Sequence, residues 1–401
     1  MITTPTHKVG GSPNYALKKI VAYSALTIAG CIIIALLIVH QIWTEMGLHV
    51  PGEPNTPVDF TAPVDSIFYI RNAQLGFRWN ANTPTSIWFH PLLSWSINLL
   101  PTSIPHNYRL WLISLAAAFG SLIVVFYYVQ EISPLSLKPR LIFLIPLLPG
   151  GIGMITGNAE WLCLFFTSLL AFSVIRKWST WHPLVWGSLA ILTKPNALYM
   201  IPALGVYGLY ALWAKDRKLL LNSLAGIFSI TVVWIVWIVF VDFMAGDFGA
   251  YWQARRIATV PLTAGPLSFL ERTIKIMAYS RDVGEHLKFT TALIIPILDM
   301  WLLMIVPLKN EVERYAILAA LLTMVLTTVV LNNPNKIIVY VTTFPGHIAI
   351  GLLFIKYTLG SLQNDNLLKN VVRSFLGIGY LLLCLLLAAF FVIGTPLGWY
   401  Y

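Results

Sequence analysis

Apolar runs about twenty residues long follow one another along most of this 401-residue chain, at roughly 20–43, 108–129, 139–157, 159–176, 219–241, 290–308, 314–331, 337–357 and 373–394. As helices, runs of that length match the hydrocarbon thickness of a bilayer. The alternating strands of a membrane barrel would produce no such runs. A further stretch, 182–213, is too long for one span and is broken at Thr193-Lys194-Pro195-Asn196. Pro195 lacks the N–H that a continuing helix needs, so the stretch predicts a hairpin of two short helices with Lys194 at its turn. The expected fold class is all-α: a polytopic transmembrane helical protein with about eleven spans, forming a single domain over residues 1–401.

Composition excludes the alternatives. Charged residues make up 10% of the chain and hydrophobic residues 58%, whereas a soluble domain carries about 25% charged residues. A soluble globule would lack polar surface, and disorder requires few aromatics and high polarity. The three cysteines, Cys31, Cys163 and Cys384, all lie inside apolar runs with no metal-binding spacing. They read as small buried residues.

The net charge of +10 would suggest nucleic acid in a soluble protein. Here it bears on orientation. The run at 20–43 follows Lys8, Lys18 and Lys19 and is longer than the core of a cleaved signal, so it reads as a signal anchor. With the N-terminus cytoplasmic, the inner segments hold 15 of the 26 basic residues but five of the 16 acids. That bias is the positive-inside pattern. It puts Trp399-Tyr400-Tyr401 outside and leaves two long outer loops, about 44–107 and 242–289. Loops of that length in a compact protein are usually functional or disordered, and the abundant aromatics here argue against disorder. No internal repeat is present, nor the matched interrupted halves of many transporters.

In the first outer loop, Asp65 opens a helical stretch with apolar positions Ile67, Ile70 and Leu75, closed by Gly76. Asp65 is read either as a helix N-cap or as a functional carboxylate. The segment Ile87–Leu100 is amphipathic, and too short and polar to span, so it is expected at the interface. His90 within it reads most simply as a surface or interfacial residue. No second His or Cys lies at helical distance to make it half of a metal site. The second outer loop has Asp242 and Asp247 at the exit of a span, then a helix ending in Arg255 and Arg256. That helix is either an amphipathic surface element or part of a site for a lipid phosphate, which Arg binds bidentately. Charges at span boundaries, such as Glu160, Lys194 and Lys336, are functional candidates. Asp299 lies inside a span, where it either caps a helix break after Pro296 or carries an intramembrane role.

Taken in order, these segments resemble the GT-C superfamily of membrane glycosyltransferases, and most of all the PIG-V type (the second mannosyltransferase of GPI-anchor synthesis) with its prokaryotic relatives. Val64-Asp65-Ser66-Ile67-Phe68-Tyr69 followed by Leu75-Gly76-Phe77 is similar to that family's W-D-x-x-x-Y/F segment and following turn. Trp88-Phe89-His90-Pro91-Leu92-Leu93 is similar to its A-F-F-P-L-Y-P segment. Asn158-Ala159-Glu160 and Leu192-Thr193-Lys194-Pro195-Asn196 resemble its span-end acid and L-T-R-P-x-G stretch. Gly246-Asp247-Phe248-Gly249-Ala250-Tyr251-Trp252-Gln253-Ala254 resembles a prokaryotic G-D-P-x-A-F/Y-x-x-A-Q pattern. The likeness covers about 45–350. It departs from the family at Val64, where the family has tryptophan, and at Lys194, where it has arginine. The late R-Y segment is matched only by Lys336-Ile337-Ile338-Val339-Tyr340.

The resemblance implies transfer of a sugar, mannose in the nearest relatives, from a polyprenyl- or dolichyl-phosphate donor to a lipid-linked or glycan acceptor on the non-cytoplasmic face. It implies Asp65 and Asp247 as catalytic acids, sharing a divalent cation (Mg or Mn) if one is used. Arg255, Arg256, Lys194, Lys336, His90, Glu160 and Gln253 would be drawn on for donor phosphate and substrate. The partners are then the lipid-linked donor, the acceptor and membrane lipids, with no nucleic acid. Two other classes stay open: a lipid or solute transporter or flippase, and a non-catalytic partner subunit of a glycosylation complex. The absence of an N-x-S/T sequon and of a retention signal fits a prokaryotic plasma membrane.

Overall fold

The computed structural model describes residues 13–33, 64–77, 87, 89–148, 159–258, 271, 274–275, 283–331, 343–359 and 367–394. Among these every regular element is helical: α1 (Pro13–Ile33), α2 (Val64–Leu75), α3 (Leu92–Leu99), α4 (His106–Ile132), α5 (Glu160–Ile175), α6 (Trp181–Thr193), α7 (Met200–Trp213), α8 (Arg217–Ala245), α9 (Ala250–Ala258), α10 (Val283–Ile305), α11 (Glu311–Leu331), α12 (Pro345–Leu359) and α13 (Leu367–Gly394). Within α1, α4 and α8, the segments Ala16–Ile33, His106–Ile132 and Arg217–Ala245 are long and apolar enough to cross a membrane. Together with shorter apolar helices such as α5 and α12, they mark an integral membrane protein. The run expected to span from 139 begins differently. Pro139–Leu147 is a 3₁₀ helix with Pro146 inside it, because that proline can neither donate an N–H nor let the preceding residues settle into α geometry.

The break expected at 193–196 is present. α6 ends at Thr193, Lys194 is extended at φ −154° and ψ 146°, and Pro195–Tyr199 forms a 3₁₀ turn before α7. The two helices run in opposite directions along α8. The amide of Asn222 donates to the carbonyl of Trp178, just before α6, and a Cβ added at Gly208 of α7 would lie 3.8 Å from Ser223. Glycines set the close approach. The Cα of Gly187 in α6 faces the Ser229 hydroxyl of α8, and Gly226 of α8 leaves room for Leu204 and Leu170. Small residues at helix contacts allow this dispersion-driven packing where lipid removes the hydrophobic drive.

The polar loops assigned to one side share one end of the bundle. Arg176 pairs with Glu131 at 2.9 Å and Lys177 with Asp216 at 2.6 Å, while the Lys309 amide donates to the carbonyl of Ile132 at 2.8 Å. Asp216 caps α8 by accepting the Leu219 N–H. Its carboxyl is held below the ordinary carboxylate range, first by the hydrogen bond from Lys177 and then by that backbone N–H.

Asp299 departs from one expectation. α10 continues through Pro296 without a break, and Asp299 is buried within it. Its Oδ2 lies 2.6 Å from Nδ1 of His347, itself fully buried in α12. The acid is accommodated by a partner on another helix rather than by a helix end. All three cysteines are buried and free, as expected.

Candidate functional site

Three of the segments singled out in the sequence meet at the end of the bundle away from those ion pairs. α2 forms where expected and stops at Gly76, whose φ of +72° suits a residue without a Cβ. Asp65 lies in its first turn, with the backbone position fixed as the second residue of the helix. One turn further on, Tyr69 packs edge-on to Phe89 with ring centroids 5.0 Å apart, and Phe68 stacks on the same ring at 4.9 Å. The Asn98 amide of α3 donates to the carbonyl of Ala73 at 2.9 Å. The helix bearing Asp65 is therefore clamped onto the segment bearing His90.

His90 is not the surface residue expected. It is 1% exposed, because Phe89, Leu93 and Ile97 turn inward and carry this face of the segment into the bundle, while Trp95 and Leu99 stay exposed on the other. Its Nδ1 hydrogen-bonds the carbonyl of Ile191 near the end of α6, and its Nε2 lies 3.4 Å from the hydroxyl of Tyr251 in α9. A carbonyl can only accept, so Nδ1 carries a proton, and in the neutral imidazole Nε2 then takes the hydroxyl hydrogen of Tyr251. One imidazole thus joins the segment before α3, the hairpin and α9.

The second loop reaches His90 through a turn built by glycines and one acid. α8 ends with Gly246 in the left-handed region at φ +66°, and Gly249 has φ +101°. The chain then doubles back over the end of α8. Both carboxylate oxygens of buried Asp242 are used there: Oδ2 accepts the N–H of Gly249 at 3.0 Å and Oδ1 that of Tyr251 at 2.9 Å. These are first-turn N–H groups of α9 that no helical carbonyl can satisfy, and a negative charge suits a helix N-terminus. Asp247 is placed otherwise. On the exposed face, its Oδ2 accepts the Gln253 amide at 3.1 Å. Arg255 and Arg256 occupy the last turns of α9 by backbone position.

Beneath lies a second polar group. Lys194 and Glu160, 8% and 9% exposed, form an ion pair between the hairpin turn and the start of α5. Asn196, two residues on, directs its amide to the hydroxyl of Thr343 at 3.4 Å, and the Thr343 carbonyl accepts from Thr167 at 2.8 Å. Lys336 and the turn Asn332–Lys336 lie outside the described residues. Among the described residues, no three His, Cys, Asp or Glu side chains gather as a metal centre requires.

The structure thus brings together His90, the hairpin and α9, and separately Glu160 with Lys194 and Asp247 with Gln253. Sequence reasoning gave no role to Tyr251 or Asp242. The available signal was an acid in the last turn of a span followed by Gly246 and Gly249, two hinges that let a carboxylate meet N–H groups seven and nine residues ahead.

No family model matches the chain, and no curated protein matches it. Among solved structures it is similar to the oligosaccharyltransferase of Archaeoglobus fulgidus, whose crystal structure holds a tethered acceptor peptide with an NVT sequon. The identity is 10% and the TM-score 0.47, over 97% of this chain and 56% of that one. The chain therefore spans just over half the length of the protein it matches.

Proposed function

We propose that this protein is a membrane glycosyltransferase that moves a sugar from a polyprenyl-phosphate donor to a hydroxyl of a lipid-linked or glycan acceptor. The observation that carries the reading is the convergence of the hairpin and α9 on His90, whose neighbour Phe89 packs against the Asp65-bearing helix. These are the segments whose sequences resemble the PIG-V type of the GT-C superfamily, with mannose as the sugar by the same resemblance. About eleven spans and an outward-facing site complete the proposal.

In this reading the carboxylate of Asp65 takes the proton of the acceptor hydroxyl as its oxygen attacks the anomeric carbon. The bond from that carbon to the phosphate oxygen breaks, and the polyprenyl phosphate leaves with both electrons. Cations offset the charge on the leaving phosphate, and Arg255 and Arg256 are the candidates best placed along the chain, with Lys336 a third. Lys194 already faces Glu160, so it contributes as a member of that pair. One base and no carboxylate nucleophile give inversion. Asp247 and Gln253 would orient a sugar or acceptor, and a divalent ion between Asp65 and Asp247 would be an addition that chelation tests.

Purified protein incubated with radiolabelled polyprenyl-phosphate sugars and membrane lipid acceptors should transfer label. Asp65→Asn should abolish transfer while the thermal transition is retained. Full activity in that variant sinks the assignment.

The transporter reading is favoured by one observation, the Asp299–His347 pair inside the bundle, since intramembrane ionisable pairs often mark transport pathways. Lipid scrambling or solute flux in proteoliposomes that disappears in Asp299→Asn would select that reading.

A further inference from the structure

We infer that Asp242 and Tyr251 are positioning residues that hold the two outer loops in register through His90. The inference rests on the transferase reading only for its consequence on catalysis; the coupling itself stands on the geometry. Asp242 spends both carboxylate oxygens on the N–H groups of Gly249 and Tyr251. That fixes the direction in which α9 starts and so the direction of the Tyr251 side chain, which is fully buried. The Tyr251 hydroxyl then donates to Nε2 of His90, whose opposite nitrogen is committed to Ile191. Trp237 of α8 lines the same place, its ring 6.2 Å from that of His90 and 5.2 Å from that of Phe77 just beyond α2. A single carboxylate thus sets where α9 lies relative to the His90 segment and to α2. Asp247 enters this turn through its backbone, its N–H donating to the Asp242 carbonyl at 3.3 Å and its carbonyl accepting from Ala250 at 3.1 Å, while its carboxylate faces Gln253.

An asparagine at 242 keeps the shape but has one oxygen to offer, so one of the two N–H groups meets an NH₂ and the start of α9 turns. Phenylalanine at 251 keeps the buried ring and removes only the hydroxyl. If these residues act through position, each variant lowers kcat and leaves KM near its original value. A displacement of about 1 Å costs on the order of a hundredfold in rate, the loss expected for Asp242→Asn; Tyr251→Phe should lose about tenfold.

The deciding experiment uses the full chain, labelled with ¹⁵N-histidine and held in lipid nanodiscs, with the His90 signal identified by its loss in His90→Gln. In the unaltered protein His90 should show the Nδ1–H tautomer. Its Nε2 resonance should move in Tyr251→Phe and also in Asp242→Asn, although residue 242 does not touch the ring. A resonance that stays in place in Asp242→Asn shows that the carboxylate merely caps α9, and overturns the proposal. Should Asp242→Asn fail to fold, Tyr251→Phe decides, and an unmoved resonance there overturns it equally. If the unaltered protein transfers no sugar from any donor while the resonance follows both substitutions, the transferase reading falls and the coupling stands.

Discussion

Lys194 leaves the helix at the point where Pro195 forbids its continuation, and its ammonium ends against the carboxylate of Glu160. Removing either partner takes away one half of a buried ion pair that sits beside Cys163 and Ala190. Breaking a buried pair from one side costs about 3–5 kcal/mol, whereas replacing both with apolar groups of similar volume is often close to neutral. Glu160→Met should therefore lower the thermal midpoint in detergent, and Glu160→Met with Lys194→Met should recover most of that loss. If the double variant is as unstable as the single, the pair has a role that packing cannot replace. The pairing was not legible in the sequence, which marks both residues as boundary charges but gives no reason for residues 34 positions apart to meet. The same holds for Asp299, where the sequence leaves a helix-break cap and an intramembrane role open and does not point to His347 on another helix. Local rules recognise a helix stop at Gly76 or a break at Pro195. They cannot supply a partner that only tertiary packing brings close.

At the scale of elements, hydrophobic period and turn chemistry predicted α2, the paired short helices and the short helix after Gly246. For the segment around His90 they missed only the burial of His90 itself. The amphipathic pattern matches a helix with Leu93 and Ile97 buried and Trp95 and Leu99 exposed, but it takes Trp237, Tyr251 and the packing of Phe89 on Tyr69 to enclose the imidazole. The hairpin depends on Gly187, whose missing side chain lets α6 lie on Ser229. Gly187→Val should push α6 away from α8 and disturb the carbonyl of Ile191 that fixes His90, because the backbone of α8 lies close behind that hydroxyl and limits how far it can give way. The expected result is a destabilisation of about 1–3 kcal/mol for overpacking, read by thermal unfolding, with reduced transfer at temperatures where the variant is folded. An unchanged transition would mean that this contact is loose. Gly205, which faces open space on α7, serves as the control.

At the scale of the whole molecule, two polar groups lie at opposite ends of the bundle. Glu131, Arg176, Lys177, Asp216 and Lys309 gather at one, His90, Asp242 and Tyr251 at the other. Because Cys31, Cys163 and Cys384 are buried, single cysteines placed at Lys215 and Phe248 should react with an impermeant maleimide from opposite faces of a sealed vesicle. Labelling of both from one face would refute the orientation. The charged end also has a pH signature. The carboxyl of Asp216 is lowered by Lys177, so the stability it adds is present above the ordinary carboxylate pKa and is lost as pH falls through the lower folded value. Lys177→Met should flatten that acid limb of the stability profile. The pair is partly exposed, which makes the effect small and salt-sensitive.

One dimension of α8 bears on all of this. Its 29 residues make a rod roughly 43 Å long at 1.5 Å per residue, whereas a bilayer's oily interior measures about 30 Å. A rod that outlasts the oil must carry its last turns into the headgroup layer or lean over. Asp242 and the fold-back to α9 occupy those last turns, so how far they stand above the oil depends on the lipid rather than on the protein alone. Reconstituting the protein in short-chain and long-chain phosphatidylcholines would then act as a mechanical dial. Thin bilayers should make α8 lean and tug at the contact between Tyr251 and His90, while thick ones should draw that contact down toward the acyl chains.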